Sequence, residues 1–98
     1  MLITEYRNTD GYRRWEFCYE GITLLLLKEN APKPFNSELL AFQNLNLIWR
    51  LPPQTKENYD HISNVWFKDG QFYAGSYSGY EHRFNFKTGE LYESRFTK

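Results

Sequence analysis

One cysteine, Cys18, is all the thiol chemistry this 98-residue chain holds. No intramolecular disulfide can form, whereas secreted domains of this size often carry several. An excess of charge of one sign is also missing, because 12 basic residues balance 12 acidic ones. There is no basic stripe to displace counterions from a nucleic-acid backbone and no polybasic patch for anionic lipid. The longest apolar run, Leu24 to Leu27, is far short of the roughly 20 residues that a membrane-spanning helix needs. Met1 to Arg7 lacks the basic start and long apolar core of a signal peptide. These absences set the expectation of a soluble cytoplasmic protein whose partners are neither nucleic acid nor membrane.

What the chain does have is aromatic residues and turns. Rings make up 19% of the sequence, with eight Tyr, eight Phe and three Trp, and such side chains suit half-buried pleated surfaces. From Asn64 to Phe96 they form four runs separated by Asp69-Gly70, Ser78-Gly79 and Thr88-Gly89. That spacing is the rhythm of an antiparallel meander. Upstream, Leu2 to Arg7 reads as a strand, Asn8 to Gly11 as a turn, and Tyr12 to Glu20 as a second strand with Trp15, Phe17 and Tyr19 on one face. Ile22 to Lys28 reads as a central strand buried on both faces. Glu38 to Gln43 and Leu47 to Leu51 read as a hairpin around Asn44-Leu45-Asn46. Residues 30–37 and 54–60 are the two long loops, and loops of that length in a small domain are more often functional than hairpin turns are.

The expected fold is therefore one all-β domain over residues 1–98, an antiparallel meander of about seven or eight strands. Ala41 to Trp49 echoes Asn85 to Tyr92 as strand, polar turn and aromatic strand, giving two propeller-blade-like sheets. Each needs cover for an apolar face, so they should pack as a small sandwich or one curled sheet. Trp15, Phe17, Leu24, Leu26, Phe42, Ile48, Val65, Phe67, Phe84 and Phe86 are the expected core.

Phe84-Asn85-Phe86-Lys87-Thr88-Gly89-Glu90-Leu91-Tyr92 resembles the strand–turn–strand signature of quinoprotein-type propeller repeats, with Asn85 for the usual aspartate and Tyr92 for the tryptophan. The resemblance covers about a third of the chain. It implies a blade-like sheet and no cofactor; the departures argue against quinone binding. Ile48 to Pro53, Tyr59-Asp60, Ser78-Gly79-Tyr80 and Phe96-Thr97-Lys98 together resemble a class of small, uncharacterised bacterial single-domain proteins. Some proteins of this kind look like immunity partners of secreted toxins.

Acid–base chemistry has one opening, the adjacent Asp60-His61. Neighbours on a strand face opposite ways, however, so Asp60 is not expected to orient the His61 ring. Cys18, Asp60, His61 and His82 lack the close spacing of a structural zinc site, and no metal is expected. Cys18, without a local positive patch, reads as inert packing. The stronger signal is tyrosine beside small residues, a composition typical of binding surfaces. The expected contact patch is the 54–60 loop with the 76–80 turn, presenting Tyr59, Asp60, Tyr77 and Tyr80, with Asp60 as an exposed rim charge. The expected role is a protein-binding module, with an immunity or inhibitor protein acting by occlusion as the specific form; a homo-oligomer is left open. A carbohydrate-binding module or a small hydrolase using His61 is the alternative.

Overall fold

A computed structural model describes residues 12–55 and 59–97. The expected first strand, Leu2 to Arg7, and the turn that follows it lie outside the described residues. Eight strands follow: β1 (Arg13–Tyr19), β2 (Ile22–Leu27), β3 (Leu39–Gln43), β4 (Asn46–Leu51), β5 (Ile62–Lys68), β6 (Gln71–Ser76), β7 (Tyr80–Phe84) and β8 (Leu91–Phe96). The only helical turn among the described residues is a 3-10 turn at Phe35–Ser37. The strands form two four-stranded antiparallel meanders, β1-β2-β3-β4 and β5-β6-β7-β8. Among the described residues the expected all-β antiparallel fold holds, with eight strands.

The leucine run shows why a central strand needs no polar alternation. Leu24 and Leu26 face the second sheet, while Leu25 and Leu27 face the opposite way, and all four are buried. The main core lies between the sheets, where Ile22, Leu24, Leu26, Leu39, Trp49 and Leu51 meet Ile62, Phe72, Phe84 and Phe86. A smaller cluster, Leu25, Leu27, Leu40, Phe42 and Ala31, forms on the far face of the first sheet, with Tyr12, Phe35 and Leu47 against it. Residues 28–38 are held onto that face by the buried Glu38. Its two carboxylate oxygens accept from Arg50 Nε and Nη2 at 2.6 and 2.9 Å, and the Arg50 guanidinium lies 4.8 Å over the Phe35 ring.

The sheets are stacked with unlike faces together. Each opens with a hairpin closed by a two-residue turn with both φ values positive, Glu20-Gly21 at 49° and 79° and Asp69-Gly70 at 51° and 78°. This is the turn whose twist matches the flanking strands. Tyr19–Ile22 and Lys68–Gln71 are the pairs flanking these turns, so they mark the same face of each sheet. In the first sheet that face points inward: Tyr19 packs on Phe72 and Phe86, with centroids 6.0 and 5.5 Å apart. In the second it points outward, carrying Trp66 and Tyr73. The sheets are therefore related as successive blades are, rather than by a two-fold axis.

Three expected core residues are exposed: Phe17 at 40%, Ile48 at 39% and Phe67 at 58%. Ile48 is the extra residue of a bulge in β4, since Ala41 pairs with Trp49 and Phe42 with Leu47. The bulge reverses the parity and sends Trp49 inward instead. Its indole donates to the Phe86 carbonyl at 3.0 Å and meets Phe84 edge-on at 5.5 Å. Phe17 and Phe67 have inward parity but sit on the edge strands β1 and β5, where the interface opens to solvent. Trp15 and Val65 are half-buried against the core. Cys18 is exposed rather than packed, because it lies on the face of edge strand β1 that is turned away from the second sheet.

Gly89 lets Trp49 approach the β7–β8 connection. A Cβ built there would stand 2.6 Å from the indole, and φ is already +76°. Gly89→Ala should lower stability by about 2 kcal/mol, combining left-handed strain with displacement of a packed ring. Gly70→Ala, at φ +78° with open space around the site, should cost only about 1 kcal/mol. Paired urea titrations test this, and equal losses would show that Trp49 yields freely.

Candidate functional site

A groove of about 1160 Å³ opens where the two sheets meet near the start of β1 and of β5. The first sheet contributes Arg14 and Leu27, and the 28–38 segment contributes Glu29, Lys33, Pro34, Asn36 and Ser37. Pro53, Tyr59, Asp60, His61 and Tyr77 complete the lining. Sequence reasoning singled out the aromatic side of this groove; it missed Arg14 and Lys33 on the other.

Asp60 organises the aromatic side. It is only 3% exposed, not the rim charge expected from its loop position. Its Oδ1 accepts from the backbone N–H groups of His61 and Ser78, each at 3.0 Å. Its Oδ2 accepts from the hydroxyls of Thr55 and Ser78 at 2.5 and 2.8 Å. One carboxylate thus ties the chain before β5 to the β6–β7 turn. Burial alone would raise its pKa, but the hydrogen bonds from Thr55, Ser78 and His61 outweigh burial and hold it below the ordinary aspartate value. The turn is reinforced by the Tyr77 N–H donating to the His61 carbonyl at 2.9 Å and by a 3.0 Å bond between the Ser76 and Ser78 hydroxyls.

Held this way, three rings cluster at the groove. His61 stacks on Tyr77 with centroids 5.3 Å apart and planes 18° apart. Tyr59 meets Tyr77 edge-on at 6.2 Å. Both tyrosines are well exposed. Tyr80, expected beside them, does not line the groove. It stands on the inward face of β7, 5.2 Å from Phe96 and 6.2 Å from the His82 ring.

The acid–base possibilities are limited by the same bonds. Asp60 accepts from the backbone of His61, not its ring, while His61 Nδ1 faces the Tyr59 carbonyl at 3.3 Å. His82 is fully buried, and its Nδ1 pairs with the Ser94 hydroxyl at 2.8 Å. Its Nε2 meets no hydrogen-bonding group among the described residues. Burial lowers its pKa and the Asp60 charge opposes this in part, so the imidazole is held neutral below its usual range. No group of three or more His, Cys, Asp or Glu side chains among the described residues could hold a metal ion. No helix among them is long and apolar enough to cross a membrane.

Comparison of the chain with family models, curated proteins and solved structures found no match.

Proposed function

We propose that this chain is a binding module that holds a partner protein at the groove between its sheets. The carrying observation is the Tyr59–His61–Tyr77 cluster, exposed yet fixed by the Asp60 hydrogen bonds. Aromatic anchors dominate interface energies, and a surface fixed in advance loses little entropy on binding. Occlusion of a partner's own site in the cytoplasm, as an immunity or inhibitor protein acts, is the narrower form of this role. The hydrolase alternative has less support, because Asp60 is committed to backbone and hydroxyl donors.

Carbohydrate binding is the second reading, favoured by one observation. Trp66 and Tyr73 lie parallel on the outward face of the second sheet, with centroids 5.5 Å apart and planes 7° apart. The stacked pair leaves an outer ring face against which a sugar ring can lie.

Affinity capture from cells of the source organism, with mass spectrometry and titration of the captured protein, tests the primary reading. Tyr77→Ala should weaken that complex by about 2 kcal/mol, roughly 30-fold. An unchanged affinity removes the groove from the interface. A glycan-array signal lost in Trp66→Ala, with no protein captured, puts the carbohydrate reading in its place.

A further inference from the structure

Arg14 is the least explained charge in the groove. It is the extra residue of a bulge in β1, between the pairs Arg13–Leu27 and Trp15–Leu26. Opposite it, β5 has its own bulge at Ser63, between Ile62–Ser76 and Asn64–Gly75. Bulges release ladder groups and re-aim side chains. Here the guanidinium from one bulge takes carbonyls at the other: Nη1 donates to Ser63 at 2.7 Å and Nη2 to Ile62 at 2.9 Å, while Nε reaches Leu27 at 3.4 Å.

Neutral carbonyls orient this cation without cancelling its charge. A guanidinium has five N–H donors, and these three bonds leave one on each terminal nitrogen without a partner among the described residues. No carboxylate among the described residues forms an ion pair with Arg14 or with Lys33, the other cation of the lining. Among the described residues, two acids border the same groove. Asp60 is turned inward onto four donors, which leaves Glu29 as the exposed one. A partly desolvated, immobilised fork with two N–H groups to spare matches a carboxylate. The groove is also far larger than one ion requires, and its lining includes the aromatic residues Tyr59, His61 and Tyr77.

We propose that the groove recognises an acidic polypeptide segment, with a carboxylate seated on Arg14, a second acidic group near Lys33, and the chain lying against Tyr59 and Tyr77. This rests on the binding-module reading and specifies the partner's chemistry.

The test is titration of fluorescein-labelled hexaglutamate and hexaglutamine at low and high salt, alongside NMR of the Arg14 Nε–H signal with each peptide and with inorganic phosphate. Hexaglutamate should bind, weaken with salt and shift the Arg14 signal; hexaglutamine should do neither. Arg14→Lys, which keeps the charge and loses the fork, should weaken binding about tenfold. Lys33→Gln should weaken it about threefold. Lys68→Gln, at the far end of β5, should change nothing. Should Arg14→Lys unfold the protein, Lys33→Gln and the wild-type Arg14 signal still decide the matter. Equal binding of hexaglutamine, no binding of hexaglutamate, or an equal effect of Lys68→Gln overturns the proposal. Phosphate binding more tightly than hexaglutamate overturns it in favour of a phosphate site. Capture of a partner that depends on Tyr77 but is indifferent to Arg14, Lys33 and salt overturns acid recognition while leaving the binding module standing.

Discussion

Asp60→Ala should lower the unfolding free energy by about 3 kcal/mol, because a removed buried acceptor strands its donors. Four lose their partner at once: the His61 and Ser78 backbone N–H groups and the Thr55 and Ser78 hydroxyls. The hydroxyls can turn to water, which keeps the total below a simple sum. Asp60→Asn should cost less, since its one amide oxygen still accepts. The pH dependence has a definite sign. A carboxylate held below its unfolded value contributes stability above that value and loses it as pH falls. His82 acts in the same direction at higher pH: unfolded, it takes up a proton near its usual value of about 6.5, while folded it resists. Wild-type stability should therefore fall first below about pH 6.5 and again below about pH 4. Asp60→Asn should retain the first decline and lose the second. Urea unfolding across this range checks both, and an identical acid limb in Asp60→Asn would remove the carboxylate as its cause.

Phe84→Ala should cost roughly 3–5 kcal/mol, the range for deleting a buried ring and leaving a cavity. Phe84 is 1% exposed and lies between the sheets, 5.5 Å from Trp49 and 6.0 Å from Phe72. Both neighbours are fixed from elsewhere, Trp49 by its bond to Phe86 and Phe72 by stacking on Phe86 at 4.7 Å, so the space cannot close easily. Phe67→Ala removes the same ring from an exposed edge and should cost less than about 1 kcal/mol. A loss below about 1 kcal/mol at Phe84 would contradict the inward assignment of β7.

The sequence announces turns more clearly than it announces faces. Asp69-Gly70 and Glu20-Gly21 close hairpins because their residues accept positive φ, and that preference is local. The face of Ile48 is not local. It depends on a bulge that forms only once β3 and β4 pair, so simple alternation chose Ile48 over Trp49. The site divides likewise. Tyr59 and Tyr77 were legible as tyrosines beside loop and turn signals, and they line the groove. Asp60 was misread because its burial comes from Thr55 and Ser78, brought to it by two different segments. Arg14 resembles any outward arginine on a strand until two bulges from different sheets meet.

Unlike-face stacking gives an assembly a direction. A two-fold sandwich uses up its sticky surface, but a contact between different faces has a donor end and an acceptor end and can in principle be extended indefinitely. Here both ends are closed. Residues 28–38, clamped by Glu38 and Arg50, lie over one. On the other, Glu81 pairs with Arg95 at 3.1 Å, and Arg83 lies 3.9 Å from Glu93, charges that a third sheet would have to strip of water. Exchanging those four side chains for leucines would remove these ion pairs, the Arg83–Gln71 hydrogen bond and the Arg83–Tyr92 contact, and would leave an apolar face on which further copies stack toward a fibre.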